Sequence, residues 1–171
     1  MTQADSLAAP AALEIETTSP DQTRALAARM AQAAEAGDRI ALVGPLGAGK
    51  TQFAKGFAAG LGVDAVVNSP SFTLMAEYEG RLPFFHQDLY RLADAEEALA
   101  GGMLDERQLD GVTLTEWAER LPDAIDGHRL TIRFVLLGGN RRRLQLVAPA
   151  ADHRRFLDAA GAWRAEREEG R

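Results

Sequence analysis

The chain has 171 residues, 46% of them hydrophobic and 26% charged, and a formal net charge of −6. This is the size and composition of one soluble globular domain, which excludes a disordered chain, a collagenous fibre and a coiled-coil rod. Cysteine is absent, so a disulfide scaffold, a thiolate metal site and a cysteine nucleophile are excluded together.

No stretch approaches the roughly 20 apolar residues that span a bilayer. Residues 1–12 carry Asp5 and no basic residue, so a secretory signal is not expected and the cytoplasm is the expected location. The acidic balance argues against a protein that grips nucleic acid with its whole surface. Lysine occurs only as Lys50 and Lys55.

In chain order, residues 1–11 read as a flexible tail. Residues 13–17 alternate apolar and polar side chains, the period of a half-buried strand. Ser19, Pro20 and Gln22 announce a helix, with a capping residue, a proline at the first turn and a capping-box glutamine. It is expected to run to about Ala36 and stop at Gly37. Residues 39–43 predict a buried strand, and 50–61 a helix with Phe53, Phe57 and Leu61 on its apolar face. Residues 72–78 and 82–87 predict an antiparallel hairpin. A helix is expected over 92–104, broken at Gly101 and Gly102. A strand follows at 112–115, then a short helix stopped by Pro122. A second hairpin pairs 130–137 with 143–147 across Gly138, Gly139 and Asn140, and a last helix starts near Ala151. The expected fold is a P-loop NTPase-like α/β mixed sheet, parallel at its centre with antiparallel edge hairpins and flanked by helices. It forms one domain over 12–165, and 166–171 read as a frayed C-terminal tail.

Gly44-Pro45-Leu46-Gly47-Ala48-Gly49-Lys50-Thr51 matches G-x-x-x-x-G-K-[ST] without a mismatch. Glycines let the backbone curl and turn its N–H groups onto a polyphosphate, and the helix that follows adds its own free N–H groups and dipole. Lys50 then reaches the β- and γ-phosphates, and the Thr51 hydroxyl ligates Mg²⁺. The expected nucleotide contacts are Gly44, Gly47, Ala48, Gly49, Lys50, Thr51 and Gln52. Neither lysine sits in an Asn-Lys-x-Asp element, so ATP is expected rather than GTP.

Two carboxylates stand at predicted strand ends, Asp88 and Glu116. Each is open between direct ligation of the metal, ligation through water, orientation of the attacking water, and simple solvation. Ser69, Ser71 and Thr73 lie on a 69–74 segment placed either as a γ-phosphate-sensing switch or as an ordinary turn. His86 reads first as a packed core histidine and second as an aid to proton movement. Trp117 reads as a core anchor.

In order, these motifs resemble the TsaE (YjeE) family: the glycine loop, then Ser69-Pro70-Ser71-Phe72-Thr73-Leu74, then His86-Gln87-Asp88-Leu89-Tyr90-Arg91, then Glu116-Trp117. The resemblance extends from about residue 13 to about residue 160. It implies a weak ATPase with ATP on the glycine loop and Mg²⁺ held by Thr51 and Glu116, supported by Asp88, with 69–74 as the switch. It implies TsaB and TsaD as partners in placing threonylcarbamoyladenosine at position 37 of tRNA, and contact with tRNA only through that complex. The nucleotide base is implied near 18–23. Ser71, Pro45 and Gln52 depart from the residues usual in the family, and none of them removes a phosphate or metal ligand. Arg141, Arg142 and Arg143 read as a solvated hairpin edge, a nucleotide contact, or a face for tRNA or a partner. The competing functions are a small-metabolite P-loop kinase, in which those arginines would form a lid, and a non-catalytic nucleotide-dependent binding module.

Overall fold

The computed structural model describes residues 10–100, 102–121 and 127–171. The first nine residues of the expected tail, Gly101 and the Pro122 helix stop lie outside the described residues.

Seven strands form one mixed sheet: β1 (Ala11–Thr17), β2 (Arg39–Val43), β3 (Met75–Tyr78), β4 (Phe84–Asp88), β5 (Val112–Glu116), β6 (Leu130–Gly138) and β7 (Arg141–Ala148). The spatial order is β1-β7-β6-β2-β5-β4-β3. β6, β2, β5 and β4 run parallel, while β1, β7 and β3 add antiparallel pairs on the two sides. β2, β4 and β5 are buried along nearly their whole length, so both of their faces are covered as in parallel sheets, and the polar residues of β4 and β5 are buried with them, whereas β6 alternates buried and exposed positions.

Helices α1 (Pro20–Ala31), α2 (Lys50–Gly60) and α4 (Arg154–Glu169) share one core with the sheet, in which Leu26, Met30, Phe53, Phe57 and Phe156 meet Ile40, Leu42, Leu114 and Ile132. Phe53 meets Phe134 edge-on at 6.1 Å and Phe57 lies 6.0 Å from Phe84. Ala41 and Val43 of β2 form a small cluster with Ala118. A further cluster of Leu89, Leu92, Met103 and Leu121 supports the segment after β4.

Several element bounds differ from the sequence expectations, for local reasons. α1 stops at Ala31, five residues early, as the chain tightens through Ala33 N–H to the Met30 carbonyl and Ala34 N–H to the Ala31 carbonyl. The Asp38 carboxylate then takes the Glu35 N–H at 2.7 Å. The first hairpin strand starts at Met75, not Phe72, because 71–74 turn and Leu74 has φ 66°. The expected 92–104 helix is reduced to α3 (Ala95–Ala100). After β5 comes one 3₁₀ turn, Ala118–Arg120.

The last helix is preceded by a 3₁₀ turn, Ala151–His153, and α4 continues through the 166–169 stretch where fraying was expected. Arg29 pairs with Glu166 at 3.0 Å, which ties that stretch to α1, and within α4 Arg167 stacks on Trp163. The second hairpin turns more tightly than expected, and Arg141, Arg142 and Arg143 lie within β7. They are not on a sheet edge, since β1 pairs with β7 along its outer side. The edge reading of these arginines is therefore corrected.

Candidate functional site

β2 has β5 on one side and β6 on the other, and chains leaving it and its neighbours diverge at the carboxyl end of the sheet, the usual place for a ligand crevice. The 44–49 loop leaves β2 there. A Cβ on Gly44 (φ 152°) would lie 3.0 Å from the Cβ and carbonyl oxygen of Phe134, so the loop leaves between β2 and β6 only as glycine. Gly49 caps α2 with φ 105°, and Lys50 and Thr51 open that helix.

A cleft of about 490 Å³ lies above this helix start, lined by the loop, Thr51, Gln52, Ser69, Ser71, Asp88, Tyr90, Arg91, Glu116 and Trp117. Lys50 is buried; its ammonium donates to the carbonyls of Gly44 and Pro45, the second at 3.0 Å, and lies 3.7 Å from the Trp117 ring centroid. Burial pulls its pKa below the usual lysine value, opposed by the charges of Glu119, Glu116 and Asp88.

Asp88 and Glu116 are register partners on the adjacent parallel strands β4 and β5, so both carboxylates reach the same end of the sheet. Both are buried. One Glu116 oxygen accepts from the Thr51 hydroxyl at 2.9 Å, and the other lies 2.6 Å from His86 Nε2. Asp88 accepts from the Ser69 hydroxyl and from the Tyr90 N–H, the latter at 2.9 Å. Trp117 follows Glu116 in the left-handed conformation (φ 56°), which turns its ring to the cleft wall.

The structure thus brings together Gly47, Ala48, Gly49, Lys50, Thr51, Gln52, Ser69, Ser71, Asp88, Glu116 and Trp117. Gly44 contributes its carbonyl to Lys50. Thr73 is exposed and does not line the cleft. His86 is fully buried, and it reaches the site through Glu116. Trp117 is more than a core anchor: it packs against the Leu89 cluster on one side and lines the cleft on the other.

Tyr90 and Arg91 line the cleft, though sequence reasoning gave them no role of their own; their place two and three residues after a strand-end aspartate was the available signal. Arg142 was also missed as a loop partner. It donates to the Ala48 carbonyl at 3.1 Å and the Gly47 carbonyl at 3.2 Å, while Arg141 and Arg143 pair with Glu16. These arginines are tied to the sheet and the loop and do not form a lid. Beside Arg142, a recess of about 90 Å³ is walled by Ser19, Thr23, Gln52 and Asn140, where α1 begins.

A threonine hydroxyl and two buried carboxylates around one lysine form an all-oxygen donor set, which suits Mg²⁺. Sheet order, glycine loop and helix start together define a P-loop NTPase-like α/β fold.

The chain belongs to the TsaE family: the family model described as "Threonylcarbamoyl adenosine biosynthesis protein TsaE" matches residues 17–144. The tRNA threonylcarbamoyladenosine biosynthesis protein TsaE of Bacillus subtilis (strain 168) is 42% identical over 137 residues, 80% of this chain and 85% of the relative. The protein of the same name from Treponema pallidum (strain Nichols) is 44% identical over 108 residues, 63% of this chain and 80% of that one. The crystal structure of Bacillus subtilis YdiB superposes with a TM-score of 0.73 at 34% identity, covering 91% of this chain and 98% of that one. The family acts in tRNA threonylcarbamoyladenosine biosynthesis. Among the described residues, no helix is long and apolar enough to cross a membrane.

Proposed function

We propose that this chain binds Mg-ATP in the cleft and hydrolyses it to drive turnover of the TsaB–TsaD machinery that modifies adenosine 37 of tRNA. The observation that carries this reading is the placement of Lys50 and Thr51, at the head of α2, against the paired carboxylates Asp88 and Glu116. In this reading the loop N–H groups and Lys50 hold the β- and γ-phosphates, and the base enters the recess by Ser19, Thr23 and Asn140. Thr51 and Glu116 would hold a magnesium ion, which when bound would supply positive charge against the phosphate oxygens.

Asp88 couples the site to the 69–74 segment through its bond to Ser69, so that segment moves with the state of the γ-phosphate. His86 orients Glu116 from below and keeps the carboxylate facing Thr51. The cytoplasm is the compartment this reading requires.

The test is phosphate release from ATP by the purified chain, alone and with TsaB and TsaD. The expected result is a weak rate that partners raise and that Lys50→Ala abolishes. A rate indifferent to the partners would overturn the pathway assignment. Undiminished hydrolysis in Lys50→Ala would overturn the site.

A further inference from the structure

The chain has three histidines, and the site described above uses only His86. The other two lie at the opposite end of the parallel strands. His128 stands two residues before β6, and His153 closes the 3₁₀ turn that leads into α4. Asp152 lies between them. His128 Nε2 is 3.1 Å from one Asp152 oxygen, His153 Nδ1 is 3.7 Å from the other, and the imidazole centroids are 4.8 Å apart.

The ligand atoms of the three residues fall within 4.8 Å of one another. A tetrahedral zinc ion with bonds of about 2.0–2.1 Å needs its ligand atoms roughly 3.4 Å apart, so the set needs only a small inward shift to close on an ion.

A second observation is independent of that spacing. His153 is 1% exposed, and its Nδ1 has no hydrogen-bond partner among the described residues although it faces the Asp152 carboxylate. A buried ring nitrogen left without a partner is costly in a protein that gives it nothing to bind. Burial also pulls the His153 pKa below its usual value. Asp38 adds negative charge nearby, itself paired with Arg155. His128 and Asp152 are 68% and 57% exposed, so an ion reaches the cluster directly from solvent.

We propose that His128, Asp152 and His153 form a binding site for a divalent transition-metal ion of the zinc type, separate from the magnesium site of the cleft. Two imidazoles and one carboxylate select such ions over Mg²⁺, which prefers oxygen alone. Three protein ligands leave the remaining coordination to water. The ion joins the start of β6 to the start of α4, so binding steadies the helix against the sheet.

The test titrates the full chain with ZnCl₂ near neutral pH in saturating Mg²⁺, by calorimetry and by imidazole NMR. A single ion should bind each chain, with the His128 and His153 signals moving together and the His86 signal unmoved. His128→Ala and Asp152→Asn alter exposed side chains and should each weaken binding at least about tenfold. His153→Gln should do the same, and if that buried change unfolds the chain the two exposed variants decide. Unchanged affinity in His128→Ala, or shifts confined to His86, would overturn the proposal.

Discussion

Glu116 shows how one side chain is held for two tasks. Its two oxygens are divided between the Thr51 hydroxyl and His86 Nε2, in a setting where the carboxylate is only 2% exposed. A buried carboxylate survives when its oxygens find hydrogen-bond partners, and both do here. Replacing it by glutamine keeps an acceptor for Thr51 and removes the negative charge a metal ion requires. Glu116→Gln should therefore remain folded and hold nucleotide, while phosphate release falls by about a hundredfold or more, the scale on which loss of a preorganised charge is felt. Comparing nucleotide affinity with single-turnover hydrolysis separates the two effects, and equal hydrolysis by variant and parent would remove Glu116 from the proposed metal site. At this scale the positions of Lys50, Thr51, Asp88 and Glu116 were legible, because a glycine loop and strand ends place their side chains by rule. The link from His86 to Glu116 was not. It spans 30 residues of chain and exists only through the pairing of β4 with β5.

At the scale of elements, the apolar runs and caps marked where strands and helices lie, and tertiary contacts set where they end. Ser19 accepts from the Gln22 N–H at 3.2 Å, while Gln22 reaches back to the Thr18 N–H at 2.7 Å, one residue before the expected partner. The start of α1 was thus readable, but its end depended on how 33–38 meets the sheet. The strand before Met75 was lost because Phe72, though β-compatible, is 83% exposed and stacks under Arg91. The crossing of α1 over α2 left its trace only as glycine. A Cβ on Gly56 would lie 2.2 Å from the Arg24 carbonyl oxygen, so the two helix backbones touch. Gly161 in α4 has nothing within 4 Å of the same position. The two sites therefore predict opposite signs for one substitution. Gly161→Ala should stabilise by roughly 0.5–1 kcal/mol through chain entropy and helix propensity. Gly56→Ala gains the same propensity but must push the helices apart, and should destabilise by about 1–3 kcal/mol net. Urea denaturation of the two variants checks this, and a stabilised Gly56→Ala would show that the crossing yields without strain.

For the molecule as a whole, the direction of the parallel strands is what separates its sites. The cleft lies where β2, β4 and β5 end, whereas His128, Asp152 and His153 lie where β6 begins, and β6 runs parallel to β2. The five residues of β2 at about 3.3 Å each put the two ends on the order of 15 Å apart. Neither site shares a residue with the other, so their binding energies should add. If the cleft takes Mg-ATP as proposed, the ligand at about a hundred times its dissociation constant should add about 2.7 kcal/mol to the folded state. For a chain of this length that raises the melting temperature by roughly 5–10 °C. A zinc ion at the histidine cluster should give its own increment by the same linkage, and the two together should match the sum within about 0.5 kcal/mol. Lys50→Ala should remove the nucleotide increment alone, and His128→Ala the zinc increment alone. A shared loss, in which either variant cancels both, would mean that β2 and β6 transmit between the ends. The sheet would then act as a coupling element between two bound ions rather than as a rigid spacer.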